Sequence, residues 1–238
     1  MNINKLRKIN LILQNNRIKK GDAIKLINYL LETKYIYNFN WLGIPSIQFP
    51  SDLIVFQELI YNYKPDVIIE TGVAHGGSLI FYSSIMSLIK KKFKIYGIDI
   101  KIKKKNRIKI SNHPLANNVE LIEKNSTDNS LKDLFDKKIK NSKVLVFLDS
   151  NHSHEHVLNE IKLYSKYIKK NGYLIVMDTT TEFVKKKFIN KGRNFGKGNS
   201  PFTAVKEFLK TNKSFVIDNY YEDKSFITSC FSGFLRKK

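Results

Sequence analysis

The amino-acid sequence predicts an α/β domain: a mostly parallel, doubly wound sheet with a C-terminal antiparallel hairpin and an N-terminal helical extension. Three observations carry this expectation. Short, continuously apolar runs at 67–71, 95–100, 119–122, 144–148 and 173–177 read as strands, and strands apolar on both faces belong to parallel sheets covered by helices. Segments with helical spacing separate most of these runs, the alternation that builds a doubly wound sheet. Gly72, Asp99, Asp149 and Asp178 stand at or just past the ends of four of the runs, where open α/β sheets bind their ligands.

In chain order, residues 1–35 carry Leu6, Ile9, Leu13 and Ile18, then Ile24, Ile27, Leu30 and Leu31, near helical spacing, and predict a helical cap. Trp41, Gly43, Pro45 and Pro50 place turn signals around an aromatic cluster at 35–50. Residues 1–50 are therefore expected to form an N-terminal unit and 51–238 the main domain. Ser51 is positioned to cap a helix with apolar positions Leu53, Ile54, Phe56, Leu59 and Ile60, ending before Pro65. Strand 67–71 leads through glycines 72, 76 and 77 into a helix over 78–89. Further helices are expected at 131–138, 153–169 and 203–209. Residues 214–217 and 225–235 read as two edge strands joined by a polar turn at 221–224. The lysine runs at 90–92, 103–105 and 185–187 read as solvated helix ends or loops.

Composition narrows the class. The 238 residues include 42 Lys+Arg against 21 Asp+Glu, a formal charge of +21. Only five of the basic residues are arginine, the side chain that reads phosphates and bases in fixed geometry. The excess of Lys, Ile and Asn is therefore read as genome composition rather than nucleic-acid recognition, although so positive a field concentrates anions such as nucleotide-linked sugars, lipid headgroups or RNA. At 42% hydrophobic and 12% aromatic, the chain is too apolar for a disordered one. The single cysteine, Cys230, rules out an internal disulfide framework and points to a reducing, cytoplasmic setting. The apolar runs are strand-sized, far below the roughly 20 residues that span a bilayer, and the stretch from Ile9 to Gln14 is too short for a signal-peptide core.

The loop Glu70-Thr71-Gly72-Val73-Ala74-His75-Gly76-Gly77-Ser78 follows the first strand and opens a helix. Glycines there let the backbone turn tightly and approach a ligand, and the helix N-terminus offers unpaired N–H groups. Asp99 ends the next strand, where a carboxylate can accept both hydroxyls of a ribose. The spacing Gly-x-x-x-Gly-Gly differs from the dinucleotide Gly-x-Gly-x-x-Gly and favours S-adenosylmethionine over NAD. Glu70, Gly72, Ala74, His75, Gly76, Ser78, Asp99 and Asp149 are the candidate cofactor residues, with His75 either touching cofactor or filling the turn. Asp149 and Asp178, at neighbouring strand ends, can converge on Mg²⁺ or a similar hard cation, or cap helices. His152 would stand beside that metal and take the proton of a substrate hydroxyl. His152, His154 and His156 are not read as a zinc site, because only 152 and 156 share a helix face and no thiol is near.

Taken together with Trp41-Leu42-Gly43, Asp52, Gln57-Glu58-Leu59-Ile60, Lys64-Pro65-Asp66, Gly97-Ile98-Asp99-Ile100, Leu148-Asp149-Ser150-Asn151-His152-Ser153 and Asp178-Thr179, these motifs resemble the cephalosporin hydroxylase and rhamnosyl O-methyltransferase family. The resemblance runs from about Trp41 onward. It implies a Rossmann-like class I methyltransferase fold, S-adenosylmethionine and Mg²⁺ as cofactors, and a hydroxylated acceptor, often a sugar or antibiotic. By motif match Glu70, Gly72, Ser78 and Asp99 would contact the cofactor, and Asp149 and Asp178 the metal. Met177 stands where the family carries a glutamate; a thioether suits a hard cation poorly, which leaves Thr179 or Glu182 to replace it. The expected activity is O-methylation of a sugar or glycan precursor in polysaccharide biosynthesis. The alternatives are a cofactor-binding non-catalytic or hydroxylase-like member of the same family and a basic RNA-binding or RNA-modifying protein. The first 40 residues are expected to serve homo-oligomerisation, and any membrane contact to be peripheral.

Overall fold

The computed structural model describes residues 2, 3, 5, 20–188 and 192–238; the expected helix positions Leu6, Ile9, Leu13 and Ile18 lie outside them. Helix α1 (Lys20–Glu32) places Ala23 and Ile27 against Phe49, Val184 and Phe231. A two-strand ribbon, β1 (Asn40–Trp41) and β2 (Ile44–Pro45), reverses through Leu42 and Gly43, both at positive φ. Helix α2 (Pro50–Tyr63) begins on Pro50, with Phe49 at the N-cap. Proline needs no N–H in the first turn, and Ser51, expected as the cap, instead donates its hydroxyl to the Ile227 carbonyl.

Among the described residues the main sheet has seven strands. Those numbered β3 (Val67–Thr71), β4 (Lys94–Asp99), β5 (Val119–Glu123), β6 (Val144–Leu148) and β7 (Tyr173–Val176) are parallel, and β8 (Phe215–Ile217) and β9 (Phe234–Lys237) complete the order β5-β4-β3-β6-β7-β9-β8. Helices α3 (Gly77–Ile89), α4 (Lys104–Ser111), α5 (Asn129–Lys138), α6 (His154–Tyr164), α7 (Pro201–Thr211) and α8 (Asn219–Lys224) connect them. Alternate strand residues enter opposite cores: Ile68, Leu145, Phe147 and Ile175 pack with α2 and α3, while Val67, Ile69, Val144, Val146, Leu174 and Val176 pack with α5, α6 and α7. Each such burial contributes about 1.5–3 kcal/mol.

Two elements depart from expectation. The C-terminal pair is antiparallel as predicted, with β9 also antiparallel to β7, but the polar turn at 221–224 is the last four of the six residues of α8. Asp218 accepts from the Tyr220 N–H and caps that helix. Residues 225–233 stay outside the ladder, because Asp52 accepts both the N–H and the hydroxyl of Ser229. Helix α4 was not expected; the lysines at 103–105 are an exposed helix end, as read, at its N-terminus, and its buried positions are Asn106 and Ile110. Among the described residues, no helix is long and apolar enough to cross a membrane.

Candidate active site

Register assembles the site. Thr71 lies opposite Ile98 and Leu148, and Leu148 lies opposite Val176, so Gly72, Asp99, Asp149 and Asp178 emerge at one carboxyl edge of the sheet. They line a cleft of about 590 Å³, whose walls also include Ile27 and Leu31 of α1, Arg193 and Phe195.

The glycine loop is held at close quarters. The Gly72 N–H donates to the Ile98 carbonyl at 2.7 Å, and the Asp149 N–H donates to Thr71 at 2.9 Å. Gly72 has φ +88°, and a Cβ there would overlap the Asp149 carbonyl oxygen and sit 2.6 Å from its carbon. Only glycine fits. Half-buried Asp99 accepts from Val73 N–H (2.9 Å) and Ala74 N–H (3.3 Å) through Oδ2, and from Lys101 N–H (3.0 Å) through Oδ1. It therefore shapes the loop while facing the cleft. Ala74, at φ +46°, has its carbonyl held by Asn106 Nδ2 of α4 at 2.8 Å. Sequence reading passed over Asn106, since nothing marks one polar side chain within a lysine-rich run as a support. Gly76 caps α3 at φ +87°, and His75 and Ser78 border a recess of about 30 Å³ beside the loop.

Glu70 sits behind the loop. Fully buried, it accepts from Ser78 Oγ (2.7 Å) and Tyr82 OH (3.0 Å). Burial pushes its carboxyl up to about 8 against the opposing effect of those two hydroxyls. Glu70 and Ser78 thus face one another and brace strand against helix, and Glu70 does not line the main cleft.

Asp149, His152 and Asp178 bring one ligand atom each to within 4.8 Å of one another. His152, 9% exposed, has Nε2 at 3.2 Å from Asp178 Oδ2. Asp178 adopts φ +51°, strained for a non-glycine residue, where β7 turns into a 3₁₀ turn (Thr179–Glu182). Burial and then the facing Asp178 raise the Asp149 carboxyl well above the ordinary range. Among the described residues no lysine or arginine pairs with either carboxylate. Two carboxylates converging with no basic side chain between them offer the hard oxygen donors that suit a divalent ion such as Mg²⁺, with the His152 imidazole beside them.

Thr179 is left outside this cluster. Its buried hydroxyl donates to the Ser229 carbonyl at 3.1 Å, because the turn after Asp178 points it away from Asp149. Glu182 is spent on the Gly198 N–H and the Ser200 hydroxyl. Met177 is buried beside Phe147 and Ile175 and brings no oxygen to the cluster. The other two histidines go elsewhere: His154 bonds Thr203 and Glu207, and His156 bonds Ser126 at 2.9 Å. The trio does not converge.

The model of the Rhamnosyl O-methyltransferase/CmcI family matches residues 33–238. The chain belongs to this family. Similar proteins include a rhamnosyl O-methyltransferase of Mycobacterium leprae (strain TN), 31% identical over 144 residues, covering 58% of this chain and 59% of that protein. An uncharacterized protein, R132, of Acanthamoeba polyphaga mimivirus is 30% identical over 133 residues, covering 52% of this chain and 57% of that one. The matches thus span under two thirds of these curated relatives. Among solved structures, a CmcI Mg–SAM complex superposes with TM-score 0.60 at 17% identity, covering 85% of this chain and 77% of that one. An O-methyltransferase from Bacillus cereus in complex with SAH gives 0.53 at 13% identity, covering 88% of each. Both likenesses establish the class I methyltransferase fold for this Rhamnosyl O-methyltransferase/CmcI family member.

Proposed function

We propose that this chain is an S-adenosylmethionine-dependent, Mg²⁺-assisted O-methyltransferase whose acceptor is a sugar hydroxyl. The observation that carries the reading is the convergence of Asp149, His152 and Asp178 on the same sheet edge as the Gly72 loop and Asp99. Family membership and the rhamnosyl O-methyltransferase names of the relatives support the acceptor class.

When bound, S-adenosylmethionine supplies an electrophilic methyl group, and Mg²⁺ lowers the pKa of a coordinated hydroxyl. The chain's own residues do the rest. The Gly72 turn leaves room for the cofactor above the strand ends, and Asp99 stands ready for the ribose. Asp149 and Asp178 would hold the cation. His152, its Nε2 against Asp178, keeps Nδ1 to take the hydroxyl proton as the oxygen attacks. Ile27 and Leu31, within the N-terminal 1–50 unit, form an apolar wall that shields this transfer from water.

The reading is tested with the purified protein, S-adenosylmethionine, Mg²⁺ and a panel of sugars, by the mass gain of one methylene unit on the acceptor. His152→Ala should lower turnover by about 10²–10⁴ while S-adenosylhomocysteine affinity stays at the wild-type value. If Mg²⁺ affinity collapses along with turnover, His152 is a ligand and not the base. If the wild type binds no cofactor with or without Mg²⁺, the methyltransferase reading fails.

A further inference from the structure

Arginine is scarce here, five residues among 42 basic ones, so one standing in the cleft is a departure from the lysine bias. Among the described residues Arg107 pairs with Glu123 and Arg236 with Asp218. Among the described residues Arg193 pairs with no carboxylate and is the one Lys or Arg that lines the cleft. Its guanidinium lies 5.8 Å over the Phe195 ring, and that ring stands edge-on to His152 at 5.0 Å between centroids. The series Arg193, Phe195, His152 therefore leads from the rim to the carboxylates.

The loop that carries Arg193 is built in. Glu182 accepts the Gly198 N–H at 3.0 Å and the Ser200 hydroxyl at 2.6 Å. Asn199 accepts the His154 N–H at 2.8 Å and donates to the Asn194 carbonyl at 2.6 Å. Charge balance then says what the arginine faces. Asp99, Asp149 and Asp178 are the carboxylates of the cleft lining; a divalent cation and the net positive cofactor of the proposed reaction offset all three. The guanidinium is left over, planar, stacked and free to grip an oxyanion in two-pronged fashion.

We infer that Arg193, seated on Phe195, is the acceptor-specificity residue, and that the acceptor carries an anionic group, a carboxylate or a phosphate, on or next to its sugar ring. This inference rests on the methyltransferase reading. It reaches past it, since a neutral deoxy-sugar would leave Arg193 without a partner.

The test is isothermal titration into protein saturated with S-adenosylhomocysteine and Mg²⁺, using three probes that share one ring: glucose, glucuronate and glucose 6-phosphate. One or both anionic probes should bind about ten-fold more tightly than glucose, and the one that does identifies the source as carboxylate or phosphate. Arg193→Gln should bring that preference down to about one, Arg193→Lys should keep part of it, and both variants should bind S-adenosylhomocysteine as the wild type does. No preference for an anion, no binding of either anionic probe, or a preference that survives Arg193→Gln overturns the inference. Failure of the wild type to bind S-adenosylhomocysteine removes the methyltransferase reading and this one with it, so the two failures are told apart.

Discussion

Gly72 and Gly43 share a backbone conformation, φ +88° and +87°, but not an environment: a Cβ at 72 meets the Asp149 backbone, and one at 43 meets nothing within 4 Å. Alanine at either position bears the left-handed strain, about 1–2 kcal/mol. At 72 it must also displace the Asp149 carbonyl and bring Ser150 Cα to 3.0 Å, an overpacking cost of about 1–3 kcal/mol. Gly72→Ala should therefore lose about 2–5 kcal/mol and Gly43→Ala about 1–2. For a chain of this size each kcal/mol moves Tm by about 2–4 °C, so Gly72→Ala should melt roughly 2–12 °C below Gly43→Ala. Thermal unfolding by circular dichroism reads the difference, and Mg²⁺ titration of each variant reads the site. Because the atom displaced is the backbone of a proposed ligand, cation affinity should fall in Gly72→Ala alone. Equal melting temperatures for the two variants would show that the strands do not approach as closely as the structure has them.

Stability should depend on pH through Glu70. Its folded pKa of about 8 lies above the ordinary 4.5 of a glutamate, so between those values the folded state holds a proton the unfolded chain has lost; stability then falls as pH rises from about 4.5 to 8. Glu70→Gln should reduce the fall in melting temperature across that window and leave the part that buried Asp52 and Asp149, raised in the same direction, contribute; a variant with the full wild-type slope would assign the titration to those groups. MgCl₂ at about 100 times Kd should stabilise the wild type by about 2.7 kcal/mol, seen as a rise in Tm that EDTA reverses and that Asp178→Asn abolishes; a Tm rise retained in Asp178→Asn would exclude it as a ligand. Glu182→Ala removes the acceptor for the Gly198 N–H and Ser200 hydroxyl, at about 1.5–3 kcal/mol, and should speed proteolysis within 192–199. Unchanged cleavage there would mean that Glu182 does not hold the loop.

The sheet was legible because its signals are local. Each strand's apolar run fixes its own extent, and parallel register then forces Gly72, Asp99, Asp149 and Asp178 onto one edge. What escaped depends on partners distant in sequence. Ser51 reads as a cap until the Ile227 carbonyl, 176 positions later, takes its hydroxyl. Thr179 stands beside Asp178 in sequence, yet the left-handed turn at 178 and the Ser229 carbonyl send it elsewhere. Residues 225–233 have strand-like composition, but Asp52 on α2 claims Ser229 first. Arg193 carries no pattern of its own. Its place at the cleft follows from Glu182 and Asn199 pinning the glycine-rich loop behind it.

The sheet order also sets a schedule. β9 lies between β7 and β8, so β8, made earlier, has no strand to join until residues 234–237 arrive. During synthesis, β7 meanwhile presents a bare apolar edge, the kind of surface on which nascent chains stick to one another. β9, the latest of this sheet's strands in sequence, is thus the one that closes it, and a chain stalled or cut before Phe234 should be found in aggregates or held by a chaperone.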